Sequence, residues 1–194
     1  MKLTIRNDTV EVSGYVNAVG RDSRPLRDAD GYFVEQIEPG AFARSLAVRK
    51  PVMLLNHDDE RVLSTVEDGL VVREDAVGLY ARAEISDEEV VEKARAGKLS
   101  GWSFGFTPVQ QTEETKDGIR HRLVRNLDLI EVSLLDDTRT PAYIATSVMT
   151  RDDGPDVEVR EMEDATEVVD ERSEEAPDLS AYTDAIERLE RAGE

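Results

Sequence analysis

The sequence contains no cysteine, which excludes a disulfide framework, a thiolate metal site and a cysteine nucleophile. Aromatic residues make up only 5% of the chain, so we expect a modest hydrophobic core. No apolar run approaches the roughly 20 residues that a membrane-spanning helix needs, and the N-terminus has no signal-peptide core. We therefore expect a soluble protein of a reducing compartment that is not exported through Sec.

Positive charge is also scarce. The chain has 24 basic and 43 acidic residues, a formal net charge of −19, which argues against binding to nucleic-acid phosphates or anionic membranes. The stretch 151–178 is acidic and has too few large apolar side chains to offset the entropy of ordering, so it is predicted to be a disordered linker. Residues 179–194 are predicted to form a short helix or tail. A solubilising role and a partner-docking role both stay open for this acidic end.

Residues 1–150 are predicted to form one domain. Short alternating patterns with two intervening helical patterns favour a mainly β fold with a few helices (α+β), arranged as a barrel or a sandwich. One helix is predicted to open after Pro39. The other is predicted to follow a capping box of Ser86 and Glu89 and to stop at Gly97. A Lys-Asp-Gly sequence further along predicts a hairpin turn between the last two strands of the domain.

The segment LSGWSFGF, residues 99–106, has an unusual alternation. With period two, its large side chains fall on one face of a strand and its small ones on the other. The large set is Trp102, Phe104 and Phe106, and the small set is Gly101, Ser103 and Gly105. Glycines weaken a strand and often mark a close approach by another group. The small face therefore presents Ser103 as a candidate nucleophile.

Only two histidines are available as a general base. His57 ends the apolar run VMLLNHDD, where a buried strand emerges into an acidic segment. A histidine there can be held rigid while its ring reaches a cleft. A strand-end histidine that merely caps a loop is the alternative.

A buried carboxylate is predicted in LDLIEVSLL, residues 127–135. Both faces of this segment are largely apolar, which is typical of a central strand, and Glu131 lies in its middle. A buried carboxylate needs a partner. That partner is either a nearby arginine, such as Arg122 or Arg125, or an imidazole. With the imidazole, the chain holds the residue types of a nucleophile–base–carboxylate triad in the order His57, Ser103, Glu131.

Several segments resemble the prohead serine proteases of tailed bacteriophages, which are related in fold to the herpesvirus protease assemblin. The resemblance runs in order over about residues 10–147. Its segments are GYVNAVGRDSRP, FVEQIEPGAFARSL, LLNHDDERVL, GKLSGWSFGF and IEVSLLDDTRTPAY. The resemblance implies an assemblin-like β-barrel protease domain followed by an acidic, largely disordered C-terminal tail.

The same resemblance assigns roles to individual residues. It places the base on His57, the nucleophile on Ser103 and the acidic member on Glu131. It also suggests Arg139 as a contributor to the oxyanion site, with backbone N–H groups as an equal alternative. Herpesvirus relatives use a second histidine as the third member, for which His121 ranks below Glu131. The sequence departs from the family pattern after the third member, where Tyr143 stands at a position in which asparagine is common.

The implied function is proteolysis inside an assembling capsid. The enzyme would cleave scaffold, the N-terminal segment of the major capsid protein, or both, and would trim itself after about residue 145. Its expected place is the procapsid within the cytoplasm of the bacterial host, with no metal or organic cofactor. Relatives suggest self-association, and no nucleic-acid or membrane partner is expected.

Two other functions have some support in the sequence. A catalytically silent assembly or scaffolding factor that acts through its acidic tail stays open. An α/β-hydrolase is rejected although GWSFG matches Gly-x-Ser-x-Gly, because that fold needs a strand before the serine, a helix after it and the histidine last.

Overall fold

The structure, a computed structural model, describes residues 1–138, 157–163 and 166–172. Over these residues the chain forms twelve strands and two short helices. The strands are β1 (Lys2–Ile5), β2 (Val10–Ala18), β3 (Leu26–Asp28), β4 (Gly31–Ile37), β5 (Val52–Leu55), β6 (Asp58–Ser64), β7 (Val71–Glu74), β8 (Gly78–Ile85), β9 (Leu99–Lys116), β10 (Ile119–Asp136), β11 (Glu158–Glu163) and β12 (Glu167–Asp170). The helices are α1 (Ala41–Leu46) and α2 (Glu88–Arg95). The predicted mainly β fold with a few helices is confirmed.

The strands make two sheets. The first has the order β12-β1-β2-β8-β7. The second has the order β11-β9-β10-β4-β3, and β5 and β6 extend it from β10. Over the described residues the strands form these two sheets without closing into a barrel, so the β-barrel implied by the resemblance is corrected to two open sheets. Apolar side chains from both sheets meet in one buried cluster.

The aromatic face of β9 supplies the centre of this core. Trp102, Phe104 and Phe106 are at most 1% exposed, as the alternation predicted. Phe42 of α1 packs edge-on against Phe104 with ring centroids 5.4 Å apart. Burial of a phenylalanine contributes about 1.5–3 kcal/mol, so this face anchors β9 firmly. Gly14 of β2 leaves space for the indole, since a Cβ there would lie 2.9 Å from Trp102 Nε1.

The central strand of the second sheet is β10, as predicted for its apolar half. It pairs with β9 along almost its whole length, with β4 through residues 120–124, and with β5 through residues 131–134. The hairpin turn between β9 and β10 is confirmed, and Asp117 and Gly118 both have positive φ, as the tight turn requires. Strand β10 is therefore held on both sides where Glu131 lies.

The two helices follow the sequence signals with one correction. Helix α1 begins after Pro39, as predicted. Helix α2 is capped by Asp87 rather than by Ser86, because the Asp87 carboxylate accepts a hydrogen bond from the Val90 N–H. The predicted capping box is therefore wrong by one residue. Gly97 follows the helix with φ of 67°, the left-handed conformation expected of a helix stop.

The C-terminal strands lie within the range predicted to be a disordered linker. That prediction does not hold for residues 158–163 and 167–170, which form β11 and β12. Strand β11 pairs with β9, and β12 pairs with β1. Composition missed them because backbone pairing to an existing sheet needs few apolar residues, and here Val157 and Val159 are buried. The helix or tail predicted at 179–194 lies outside the described residues.

Candidate active site

A tight turn between β5 and β6 presents His57. Asn56 and His57 have φ values of 55° and 62°, and Leu55 pairs with Asp58, so these two residues form a two-residue hairpin loop. Left-handed backbone is uncommon outside glycine and is retained where surrounding contacts determine it. Here Asn56 N–H donates to the Leu134 carbonyl at 2.9 Å, which ties the loop to β10.

Glu131 is the partner of this histidine. His57 Nδ1 lies 2.6 Å from Glu131 Oε1, and the two side chains are 5% and 1% exposed. A carboxylate only accepts hydrogen bonds, so Nδ1 carries a proton and the basic lone pair of the neutral ring lies on Nε2. Of the two partners considered for Glu131, the imidazole is the one observed. Arg122 instead pairs with other carboxylates, including those of Asp28 and Glu113.

Ser133 completes the hydrogen bonding around this pair. Its hydroxyl donates to Glu131 Oε2 at 2.6 Å and accepts from the His57 backbone N–H at 3.2 Å. It therefore fixes both the carboxylate and the loop that carries the imidazole. Ser133 was not among the residues predicted from the sequence. Its position two residues after Glu131, on the same strand face, was the available signal.

Ser103 lies on the adjacent strand at the same level. It stands directly opposite Ser133 across the β9–β10 pair, so the two side chains share a face of the sheet. Ser133 contacts both His57 and Glu131, and the candidate nucleophile is thus brought beside the histidine–carboxylate pair. Of the three residues predicted from the sequence, His57 and Glu131 are in contact, and Ser103 lies across from Ser133, which bonds to both.

Gly105 provides the space for the carboxylate. It pairs with Glu131 across the strands, and a Cβ at this position would lie 2.5 Å from Glu131 Oε1. The glycines on the small face of β9 were predicted to mark a close approach by another group. At Gly105 the approaching group is the side chain of Glu131, with Val157 also close by.

Asp136 fixes the end of β10 near the histidine loop. Its carboxylate pairs with Lys93 of α2, and its backbone N–H donates to Asn56 Oδ1 at 3.1 Å. Burial raises the pKa of Asp136, but hydrogen bonds from Lys93, Thr138 and Asn56 outweigh that effect and hold the pKa well below its ordinary value. The charged form of Asp136 therefore holds α2 and the histidine loop against β10.

The second histidine does not join this region. His121 lies on the first half of β10, ten residues before Glu131, which corresponds to about 33 Å along an extended strand. Its Nδ1 is 4.0 Å from Asp22 Oδ2. Arg139, suggested for the oxyanion site, lies outside the described residues. Within residues 1–138 and the two described C-terminal segments, no cluster of three or more His, Asp or Glu side chains has the arrangement of a metal site.

A serine beside a buried histidine–carboxylate pair, on a mainly β domain, has the composition of a serine hydrolase site. The model of the caudovirus prohead serine protease family matches residues 1–164, which include all three residues. The chain therefore belongs to the caudovirus prohead serine protease family. It is a serine protease of capsid maturation, and its substrates are capsid-related proteins.

Comparison with curated proteins found no match, and comparison with solved structures found none. No helix in the described part of the chain is long and apolar enough to span a membrane.

Proposed function

We propose that Ser103, His57 and Glu131 are the catalytic triad of an endopeptidase that matures the procapsid. The observation that supports this most strongly is the buried hydrogen bond between His57 Nδ1 and Glu131 Oε1. A carboxylate that is 1% exposed and bonded to an imidazole orients the ring and stabilises its protonated form. The same carboxylate accepts from Ser133, so it is held in one geometry.

In the proposed mechanism, Ser103 Oγ attacks the carbonyl carbon of the scissile peptide while His57 Nε2 takes the hydroxyl proton. The tetrahedral intermediate collapses as the C–N bond breaks, and His57 returns the proton to the leaving amine. Water then attacks the acyl-enzyme as His57 Nε2 takes one of its protons. His57 returns this proton to Ser103 Oγ as the acyl C–O bond breaks, which regenerates the serine and releases the new carboxyl group. Glu131 accepts the hydrogen bond from Nδ1–H throughout, and it stabilises the imidazolium. The developing oxyanion is assigned to Arg139 or to backbone N–H groups.

The proposed substrates are the scaffold, the N-terminal segment of the major capsid protein, or both, together with the chain itself after about residue 145. The proposed location is the procapsid in the bacterial host cytoplasm. The acidic C-terminal end would dock on a capsid-related partner before its removal.

Co-expression with the major capsid protein and the scaffold tests this function. Ser103→Ala is expected to abolish shortening of the capsid substrates and of the protease, as measured by intact mass. Ser100→Ala is a matched control, because Ser100 is a neighbouring serine of β9 that bonds to the Asp136 carbonyl at 3.5 Å. Equal processing by both variants would contradict the role of Ser103, and absence of processing even by the wild type would favour the silent assembly factor.

A further inference from the structure

The hydroxyl of Ser103 is covered by the chain's own C-terminal strand. Ser103 is 0% exposed, and its Oγ donates to the Arg160 backbone carbonyl at 2.8 Å. Arg160 belongs to β11, which also shields the site. A protein substrate could not bring a carbonyl to Ser103 while β11 stays in this place.

Strand β11 binds β9 as a peptide added to the edge of a sheet would. It pairs antiparallel with β9 over six residues, from Glu158 opposite Phe106 to Glu163 opposite Gly101. The other edge of β9 is already taken by β10. Strand addition at an open edge is a general mode of peptide recognition, in which backbone bonds give affinity and side-chain pockets give specificity. An extended substrate that pairs with β9 beside Ser103 would therefore have to use the edge that β11 occupies.

The side chain of Arg160 fills a built pocket. Both oxygens of Glu35 accept from its guanidinium, each at 2.7 Å, and the guanidinium carbon lies 5.1 Å from the centroid of the Phe106 ring. Arg160 is 5% exposed and Glu35 is 4% exposed. A planar guanidinium suits a bidentate carboxylate and an aromatic face at once, whereas a lysine ammonium does not.

The fixed wall of this pocket has an excess of negative charge. Near Glu35 it carries the carboxylates of Asp28 and Glu113 and the guanidiniums of Arg120 and Arg122. Without β11, the wall has three carboxylates, counting Glu35, and two guanidiniums. Arg122 approaches Glu35 at 3.7 Å, farther than either bond from Arg160. A buried carboxylate in such a wall favours an incoming cation.

We propose that β11 occupies the substrate position of this protease, and that Glu35 selects arginine at the substrate residue whose carbonyl meets Ser103. This inference rests on the proposed function, since it assigns a specificity to that same site. In the described chain the position is taken by Arg160, so the protease is held closed by a segment that imitates its substrate. Displacement of β11 opens the site.

Peptide binding separates this inference from the catalytic proposal. The probe is a fluorescent peptide of residues 155–165, with Arg, Lys or Gln at the position of Arg160, added to the full-length chain carrying Ser103→Ala and Arg160→Ala. Anisotropy is expected to show at least tenfold tighter binding of the Arg peptide than of either other peptide. Adding Glu35→Gln to the chain is expected to remove that preference. Equal binding of the three peptides before this change would overturn the inference, even if the unmodified enzyme cleaves capsid protein.

The rate at which Ser103 is labelled tests whether β11 covers it. Labelling of Ser103 by a fluorophosphonate is expected to be at least fivefold faster in the full-length Arg160→Ala chain than in wild type, with Arg160→Lys between them. Arg172→Ala is the matched control, since Arg172 is an exposed arginine after β12 that pairs with Asp170. Thermal unfolding checks that each variant is folded. Equal labelling of the folded Arg160→Lys variant, the Arg172→Ala variant and wild type would overturn the covering role. One outcome separates the two proposals. If no variant is labelled and none cleaves capsid protein, but the Arg peptide still binds more tightly than the others, the catalytic proposal fails and the arginine site stands.

Discussion

Replacement of Glu131 by glutamine tests the central interaction of the proposed site. The change keeps the shape of the side chain and removes its charge. In Glu131, one carboxylate oxygen accepts from His57 Nδ1 and the other from Ser133 Oγ. Glutamine has one oxygen and one NH2 group, so the NH2 group must face one of these two partners. If the NH2 group faces Nδ1, the proton of the ring moves to Nε2, and His57 can no longer take the proton of Ser103.

The expected loss follows from electrostatics. With charge centres about 4 Å apart and an effective dielectric constant of about 20, the carboxylate stabilises an imidazolium by about 4 kcal/mol. At about 1.4 kcal/mol per factor of ten, this is roughly 10³ in kcat. A wrong tautomer raises the loss to about 10⁴. We therefore expect Glu131→Gln to lower kcat by 10³- to 10⁴-fold.

Cleavage of the major capsid protein, followed by mass spectrometry under single-turnover conditions, measures this loss. Glu11→Gln is the matched control, because Glu11 lies on β2 of the other sheet, where it pairs with Arg82. We expect its rate to stay within about twofold of wild type. A folded Glu131→Gln enzyme that retains more than a tenth of the wild-type kcat would refute the role given to the carboxylate.

Three further changes address the surroundings of the pair. Ser133→Ala leaves a buried carboxylate oxygen and a backbone N–H without this hydroxyl, and we expect about 1–3 kcal/mol lower stability in urea unfolding and at least tenfold lower kcat; unchanged values would contradict the contacts described. Gly105→Ala is expected to displace Glu131 and to abolish cleavage, whereas Gly118→Ala, strained by its positive φ at the far hairpin turn, should lose about 1 kcal/mol of stability yet keep kcat. Because the pKa of Asp136 is lowered on folding, its stabilising contribution is complete above the unfolded pKa of about 3.9 and is lost as pH falls through the folded value. The difference in urea midpoint between pH 7 and pH 3 should therefore be smaller for Asp136→Asn than for wild type, and an equal difference would contradict this assignment.

The sequence predicted the parts of the site that depend on local pattern. Alternation placed the aromatic residues of β9 on one face and Ser103 on the other, and the apolar run around Glu131 indicated a central strand. Both predictions hold because a two-residue period is enforced by the pleat itself. The meeting of His57 with Glu131 depends on the pairing of β5 with β10, which is a tertiary contact between distant segments. No local pattern encodes it.

Two other features needed the structure for different reasons. Composition favoured disorder at residues 158–163, but β11 gains its order from the edge of β9 rather than from its own apolar content. The pocket that holds Arg160 joins β4 to β11 across 125 residues, and neither Glu35 nor Arg160 stands out in its own segment. Gly105 was recognised as a close approach, while the approaching group, Glu131, became apparent only from the register of β9 and β10.

The most direct measurement of the central claim is to map the residue that a fluorophosphonate modifies in the full-length protease. Peptide mass spectrometry of the wild type is expected to find the adduct on Ser103, at a rate that falls at least 100-fold in His57→Ala and stays unchanged in Ser100→Ala. An adduct on a different serine, or equal labelling of Ser103 with and without His57, would contradict the account.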